Sequence, residues 1–515
     1  MTSPGSRESA TADTPTKIVL AIALVFYFVW RLPGLLQLPA SPLLMGRYFS
    51  LWYGLPLVAF FSLGESGFKS YIFMFLIISG MEYWFRWTLI PLSYVYVWLI
   101  FLVTIIRTAL TKQRLIWPYM LSPWLLAYAV FAAIEFLRDP VVPTWGSEET
   151  RVGAKAYFAF FSMILAVLLM PHLFKLENIH RLPRTAFFSA LLVLAIQAGV
   201  YAADDAQTGL LFGVKPREWG LATMVEGRWS FLHQAAILLF MASLALWHAG
   251  RRSGLVRRAW PYVFAALLGF VALIFTGTRA WVFGAIVVAA YILILERQYL
   301  ALGIAAGAVF FAAFVFSNID LPPGDPFTPV VRSFSFPWMN VTGTAVMRYG
   351  AKSWNWRVEL WKLAVEQIWR TPLLGAGFRV DAYVRAAVMS KYAAHELTYY
   401  TYLLNLASGG THMIWLGPFH TFGVVAGSLF LVYYVERFRA ALRLVARAGR
   451  TAPDLYAAAV FIAAWLVYGT AIGVVDGGTL ALRFFIPAAL LHMLEYAVRL
   501  RTEAPAKTVF SPVGV

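Results

Sequence analysis

Residues 299–318 read YLALGIAAGAVFFAAFVFSN, twenty positions without a charged side chain. That is about the length a helix needs to cross a hydrocarbon core roughly 30 Å thick at about 1.5 Å per residue. Outward from this stretch, comparable apolar runs fall at roughly 18–36, 49–64, 69–85, 87–106, 117–136, 156–175, 185–203, 230–248, 260–276, 280–296, 412–435, 456–475 and 480–497. The reading is an all-α polytopic integral membrane protein with about 14 transmembrane helices. Composition agrees, with 61% hydrophobic and 13% charged residues, and excludes a soluble globular domain. The chain has no cysteine, which rules out disulfides, thiolate metal sites and cysteine nucleophiles.

A net charge of +17 would suit nucleic acid, but its arginines and lysines cluster in short segments between apolar runs. Arg107, Lys112 and Arg114 form one cluster, and Lys175, Arg181 and Arg184 a second. Arg251, Arg252, Arg257 and Arg258 form a third; Arg437, Arg439, Arg443, Arg447 and Arg450 form a fourth. Strict alternation through the spans puts all of these on one side, with both termini, and the positive-inside rule makes that side cytoplasmic. The expected organisation is a disordered cytoplasmic tail over 1–17, helices over 18–318, a large periplasmic loop over 319–411, helices over 412–497 and a cytoplasmic tail over 498–515. Ala10-Thr11-Ala12 precedes the first apolar run, whereas a cleavage site would follow it, so that run is expected to be a retained helix.

The same alternation turns Arg228, Arg279, the 319–411 loop and His412 outward. Arginines there run against the orientation bias, and either snorkelling to headgroups or a guanidinium cluster for phosphate would account for them. The loop is about ninety residues, long enough to imply a function. Its first part, with Pro322, Pro323, Gly324, Pro326 and Pro329, reads as irregular. Residues 356–370, WRVELWKLAVEQIWR, read as an amphipathic helix with Val358, Trp361, Val365 and Ile368 on one face, ended by Pro372 and Gly375. Trp354, Trp356, Trp361 and Trp369 suit a helix lying flat at the membrane interface. Tyr399 and Tyr400 offer rings for stacking on sugars. His412 heads the next apolar run, and Gly423, three turns on, reads as a small residue admitting a neighbouring helix; His420 lies deeper. Asp320, Asp325, Asp381 and Glu396 are scattered without ligand spacing, so no metal is expected, nor any other cofactor.

Three features occur in a recognisable order. They are a small-Gly-small-Arg turn (TGTRAW, Thr276 to Trp281), a loop carrying Arg357, Trp361 and Pro-Leu-Leu-Gly-x-Gly (Pro372 to Gly377, then Phe378), and a helix opened by His412 with Leu416 and Gly423. The pattern over roughly Arg228 to Gly427 resembles the O-antigen ligase and polymerase superfamily, polytopic glycosyltransferases acting on undecaprenyl-pyrophosphate-linked glycans. Two positions depart from the family's habit: Met413 stands where Asn is usual, and Thr278 where Ser is usual. The resemblance implies catalytic roles for His412, Arg279 and Arg357, with Arg228, Trp361, Tyr399 and Tyr400 in substrate binding; His395 and His420 are the alternative bases. It further implies a lipid-linked glycan donor, a glycan, lipid or protein acceptor, surrounding membrane lipids, and residence in a bacterial inner membrane. A lipid-linked oligosaccharide transporter or flippase is the competing class, although no internal repeat is evident.

Overall fold

The computed structural model describes residues 92–111, 122–138, 154–174, 176–202, 233–254, 256–276, 278–319, 321, 327–335, 339, 345–378, 403, 406, 411, 413–474 and 482–503. All regular structure among them is helical: α1 (Leu92–Thr111), α2 (Pro123–Arg138), α3 (Ala154–Leu173), α4 (Leu182–Ala202), α5 (His233–Arg252), α6 (Val256–Phe275), α7 (Arg279–Leu295), α8 (Tyr299–Ser317), α9 (Thr328–Phe334), α10 (Ala345–Arg370), α11 (Leu416–Thr451), α12 (Tyr456–Gly473) and α13 (Leu482–Glu503). A 3-10 turn, Leu176–Arg181, joins α3 to α4. The expected spans at 18–36, 49–64 and 69–85 lie outside the described residues, as do Arg228, His395, Tyr399, Tyr400 and His412. By length and composition, α8, α11 and the Pro453–Gly473 segment containing α12 are long and apolar enough to cross a membrane among the described residues.

Helix α12 forms the axis of the bundle, packing against α5, α7, α11 and α13. It is apolar on every side, and 89% of its most hydrophobic window is buried, against 11% for α8. A helix apolar all round belongs either in a protein core or against lipid. These two occupy the two positions.

The arginine-rich stretch 437–450, expected as an inter-span loop, is instead a continuation of α11 to Thr451. Ala440, Ala441, Leu444, Val445 and Ala448 are buried along one face, and that stripe carries the helix on while most of the arginines take the other side. Arg437 is the exception. It is buried and pairs with Glu436 at 2.5 Å and with Glu495 of α13 at 2.7 Å. α13 likewise runs on to Glu503, past the expected end at 497.

The proline-rich start of the long loop is not wholly irregular, because α9 forms there with Pro329 in its first turn. Proline costs a first turn nothing, since the N–H it lacks would have had no partner inside the helix.

Interhelical bonds sort the helix ends into two sets. At one end His248 of α5 bonds Glu296 and the Tyr456 hydroxyl (2.7 Å), Arg252 donates to Gly449 O (3.2 Å), and Arg501 pairs with Asp454. At the other, α2 meets the segment after α10 through Arg138 and Gly375, and α7 meets α9 through Arg279 and Arg332.

Candidate functional site

The helix that begins at Leu416 does not run straight. Gly423 adopts φ 85°, ψ 175°, outside the helical region, and the chain turns there. Trp415 lies 4.3 Å, ring to ring, from Tyr434, nineteen residues later, whereas a straight helix would separate them by about 28 Å. A Cβ on Gly427 would fall 2.5 Å from the Phe419 ring. The segment before Gly423 therefore folds back along the segment after it. The expectation that Gly423 admits a neighbouring helix is corrected: this glycine makes the turn, because its positive φ is open to glycine and costly for other residues.

A break of this kind orphans the last carbonyls of one helix and the first N–H groups of the next. The Pro372–Gly377 segment supplies the missing partners. Ala376 N–H donates to His420 O (2.9 Å), Gly377 N–H donates to Thr421 O (2.9 Å), and Pro372 O accepts from Val424 N–H (2.7 Å). Leaving those buried groups unpaired would cost about 1–3 kcal/mol each. The fit is close: a Cβ on Gly375 would lie 2.5 Å from Gly423 N and Thr421 O, and one on Gly423 would overlap the Leu373 carbonyl. Both glycines have positive φ. The Pro-Leu-Leu-Gly-x-Gly motif is thus a backbone splice between the loop and a broken helix.

Aromatic packing fixes the splice to the earlier helices. Phe378 and Phe422 are fully buried, 5.6 Å apart ring to ring. Tyr157 of α3 lies 4.9 Å from Phe378, Phe160 lies 4.9 Å from Phe422, and Tyr128 of α2 lies 5.6 Å from Phe422. Arg138, at the end of α2, pairs with the fully buried Glu135 at 2.9 Å and reaches Gly375 O at 3.5 Å.

α10 leads into the splice and carries Arg357. It starts eleven residues earlier than residues 356–370 suggested. Its packed face holds Leu360, Leu363 and Ala364, and Gln367 extends that face toward α11. The expected apolar face lies on the flank, where Val365 is exposed, as are Trp354 and Trp369. The helix has one apolar side on the protein and another open, the arrangement of a helix seated at an interface. Gln367 Oε1 lies 2.5 Å from His420 Nε2, so the amide oxygen accepts from an Nε2–H tautomer. His420 is fully buried in this contact. One turn after Arg357, the Trp361 indole N–H donates to Thr411 O (3.0 Å), and Thr411 Oγ1 donates to Met413 O (2.8 Å). Ile414 N–H is held by Gly473 O (2.7 Å) at the end of α12. The chain is thus tied down on both sides of position 412. Arg357 Nε is buried with no hydrogen-bond partner among the described residues.

Arg279 stands apart from this group and joins it through α12. It opens α7, where a positive charge opposes the helix dipole by about 0.3–1 kcal/mol, so its placement needs another reason. Its Nε donates to Arg332 O (3.0 Å) and its Nη2 reaches Ser335 Oγ (3.4 Å), which clamps α9 over the turn. Ser333 Oγ adds a bond to Ile274 O (2.7 Å), and Thr276 closes α6 by donating to Leu273 O (2.6 Å). Gly284 of α7 packs on Tyr468 and Ile472, directly before the Gly473 that holds Ile414.

Residues 264–431, about a third of the chain, match the sequence profile of a family described as O-antigen ligase. A comparison with curated proteins finds no match. The ligase-family segment begins within α6 and ends in the second limb of the broken helix, so it encloses the Arg279 turn, Arg357 and the splice.

Several residues of this site escaped the sequence reading. Arg332 and Ser333 were hidden in a stretch read as irregular, although Thr328-Pro329 is a helix-start signal. Gln367 and Thr411 act through contacts distant in sequence, and no local signal marks them. Glu135 and Arg138 lie near a helix end, where hydropathy alone gives no reason to single them out. Among the described residues no group of three or more His, Cys, Asp or Glu side chains is assembled.

Proposed function

We propose that this chain is a membrane glycosyltransferase of the O-antigen ligase or polymerase type. It transfers or polymerises an undecaprenyl-pyrophosphate-linked glycan onto a sugar hydroxyl at the periplasmic face of a bacterial inner membrane, for lipopolysaccharide or other surface polysaccharide. The observation that supports the reading is an arginine inside the matched segment, Arg357, whose Nε is buried with no hydrogen-bond partner among the described residues, one turn from Trp361, which holds the Thr411 carbonyl.

The chemistry follows from these groups. The acceptor oxygen attacks the anomeric carbon and the bond from that carbon to the pyrophosphate oxygen breaks. His412 takes the hydroxyl proton, as an imidazole of ordinary pKa about 6.5 is able to do near neutrality. Arg279 and Arg357, with Arg228, hold the departing pyrophosphate, whose charge grows as the bond breaks. Guanidinium forks give paired bonds to phosphate oxygens and stay protonated. Attack opposite the leaving group inverts the anomeric centre. Arginines carrying that charge make the reaction independent of an added metal.

The test is purified protein in lipid nanodiscs with a polyprenyl-pyrophosphate-linked glycan and a glycan acceptor, assayed across pH with and without EDTA. Transfer that survives EDTA and rises through neutrality, the rise being lost in His412→Ala, is the expected result. Translocation without transfer would make the chain an exporter instead.

A further inference from the structure

We infer that Ser333 and Ser335, on and just after the short helix α9, are positioning residues for glycosyl transfer, setting the plane of the Arg279 guanidinium before the lipid-linked glycan arrives. The inference rests on the transferase reading above, in which Arg279 holds the departing pyrophosphate. Two sets of bonds carry it. Arg279 Nε donates to Arg332 O (3.0 Å) and its Nη2 donates to Ser335 Oγ (3.4 Å). Nε–H and the neighbouring Nη2–H form one edge of the planar fork, so engaging both sets the plane of the group as well as its position. On the far side of the turn, Ser333 Oγ donates to Ile274 O (2.7 Å), a carbonyl in the last turn of α6 that the helix has no N–H to pair. The α9 segment therefore spans the turn between α6 and α7, with one serine hydroxyl on each side.

Burial holds the arrangement still. Val331, Ser333 and Ser335 are fully buried, and Phe334 stacks on Phe316 of α8 at 5.7 Å. The segment is thus seated on α6, α7 and α8 at once. An unrestrained arginine samples many rotamers of a long stem, and ordering them weakens the binding of any ligand. Here the order is imposed in advance, which is the preorganisation that stabilising a developing charge requires. Alanine at 333 and 335 removes both hydroxyls and leaves the Arg279 side chain itself in place.

Because the chain has no native cysteine, the seating of α9 can be read without reference to catalysis. Spin labels are placed at Phe327→Cys, exposed at the start of α9, and at Phe310→Cys, exposed on α8. The distance distribution between them is measured in nanodiscs with and without Ser333→Ala and Ser335→Ala together. In parallel, without labels, affinity for undecaprenyl pyrophosphate and kcat for transfer are measured for the parent, the paired serine variant, Arg279→Ala and the combination of all three substitutions. Expected are a distribution broadened about twofold, affinity and kcat each lowered about fivefold by the serine substitutions while Arg279 is present, and a change of less than about twofold once Arg279 is alanine. An unbroadened distribution overturns the seating. No loss, or an equal loss with and without Arg279, overturns the positioning role, since the serines would then act on the fold alone. Should the paired variant fail to insert, Ser335→Ala by itself carries the same cycle. Parent-level binding and transfer by Arg279→Ala would defeat the use of Arg279 in the transferase reading, and the positioning role with it, while leaving the distance result standing.

Discussion

The two ends of the bundle treat arginine differently. At the end holding the 3-10 turn and Tyr456, the chain supplies its own acceptors: Arg501 pairs with Asp454, Arg251 lies 3.8 Å from Glu296, and Arg252 stacks over the Tyr456 ring at 4.5 Å. At the opposite end, the described bonds of Arg279 go to a backbone carbonyl and a hydroxyl, and Arg357 makes no ion pair among the described residues. Arg138 with Glu135 and Arg370 with Glu366 form ion pairs there as well. Charge left without a carboxylate near a bilayer is costly, and it persists where a ligand supplies the opposite charge. The first end is a clasp; the second is the end that we propose receives an anion.

The contrast breaks first at Arg357. Arg357→Ala is expected to lower transfer about a hundredfold at normal membrane abundance, since it deletes donors aimed at a developing charge, while Arg252→Ala at the clasp leaves turnover near the parent value. Arg357→Lys restores little, because a point charge does not reproduce the fork. Initial-rate measurements on the three variants decide it.

The splice sharpens the contrast by showing what holds the receptive end in shape. Gly423→Ala is expected to cost about 3 kcal/mol or more, the sum of a strained positive φ and overlap with Leu373 O. Gly303→Ala on α8, where an added Cβ meets nothing within 4 Å, should be neutral or slightly stabilising. Thermal denaturation of the two variants side by side separates them. The smallest effect belongs to the clasp. Arg501→Ala removes a half-exposed pair and should change stability by no more than about 0.5 kcal/mol, an effect that fades further with added salt.

The two ends were not equally legible in the sequence. Apolar runs announce helices because burial and lipid reward the same residues, and each described apolar run is helical, although α11 and α13 run well past their expected ends. Charge misled where it lay along a helix with one buried face, as at 437–450, which hydropathy alone divides from the span before it. The receptive end was legible as a set of residue types and not as an arrangement. Pro372 and Gly375 were expected to end α10, which stops at Arg370, yet nothing local reveals that Ala376 and Gly377 cap a helix end more than forty residues away. Gly423 reads as a small residue until its φ is known. Trp361 reads as a ring for a sugar or a membrane until its N–H is found on Thr411.

The measurement that bears most directly on the receptive end is the affinity of the purified protein in nanodiscs for undecaprenyl pyrophosphate, compared between the parent, Arg357→Ala and the clasp variant Arg252→Ala. A loss of about tenfold or more in Arg357→Ala with Arg252→Ala unchanged is the expected result, as one charge-assisted bond is worth about 1.5–3 kcal/mol. Equal affinity in all three would contradict the assignment of this end as a pyrophosphate site.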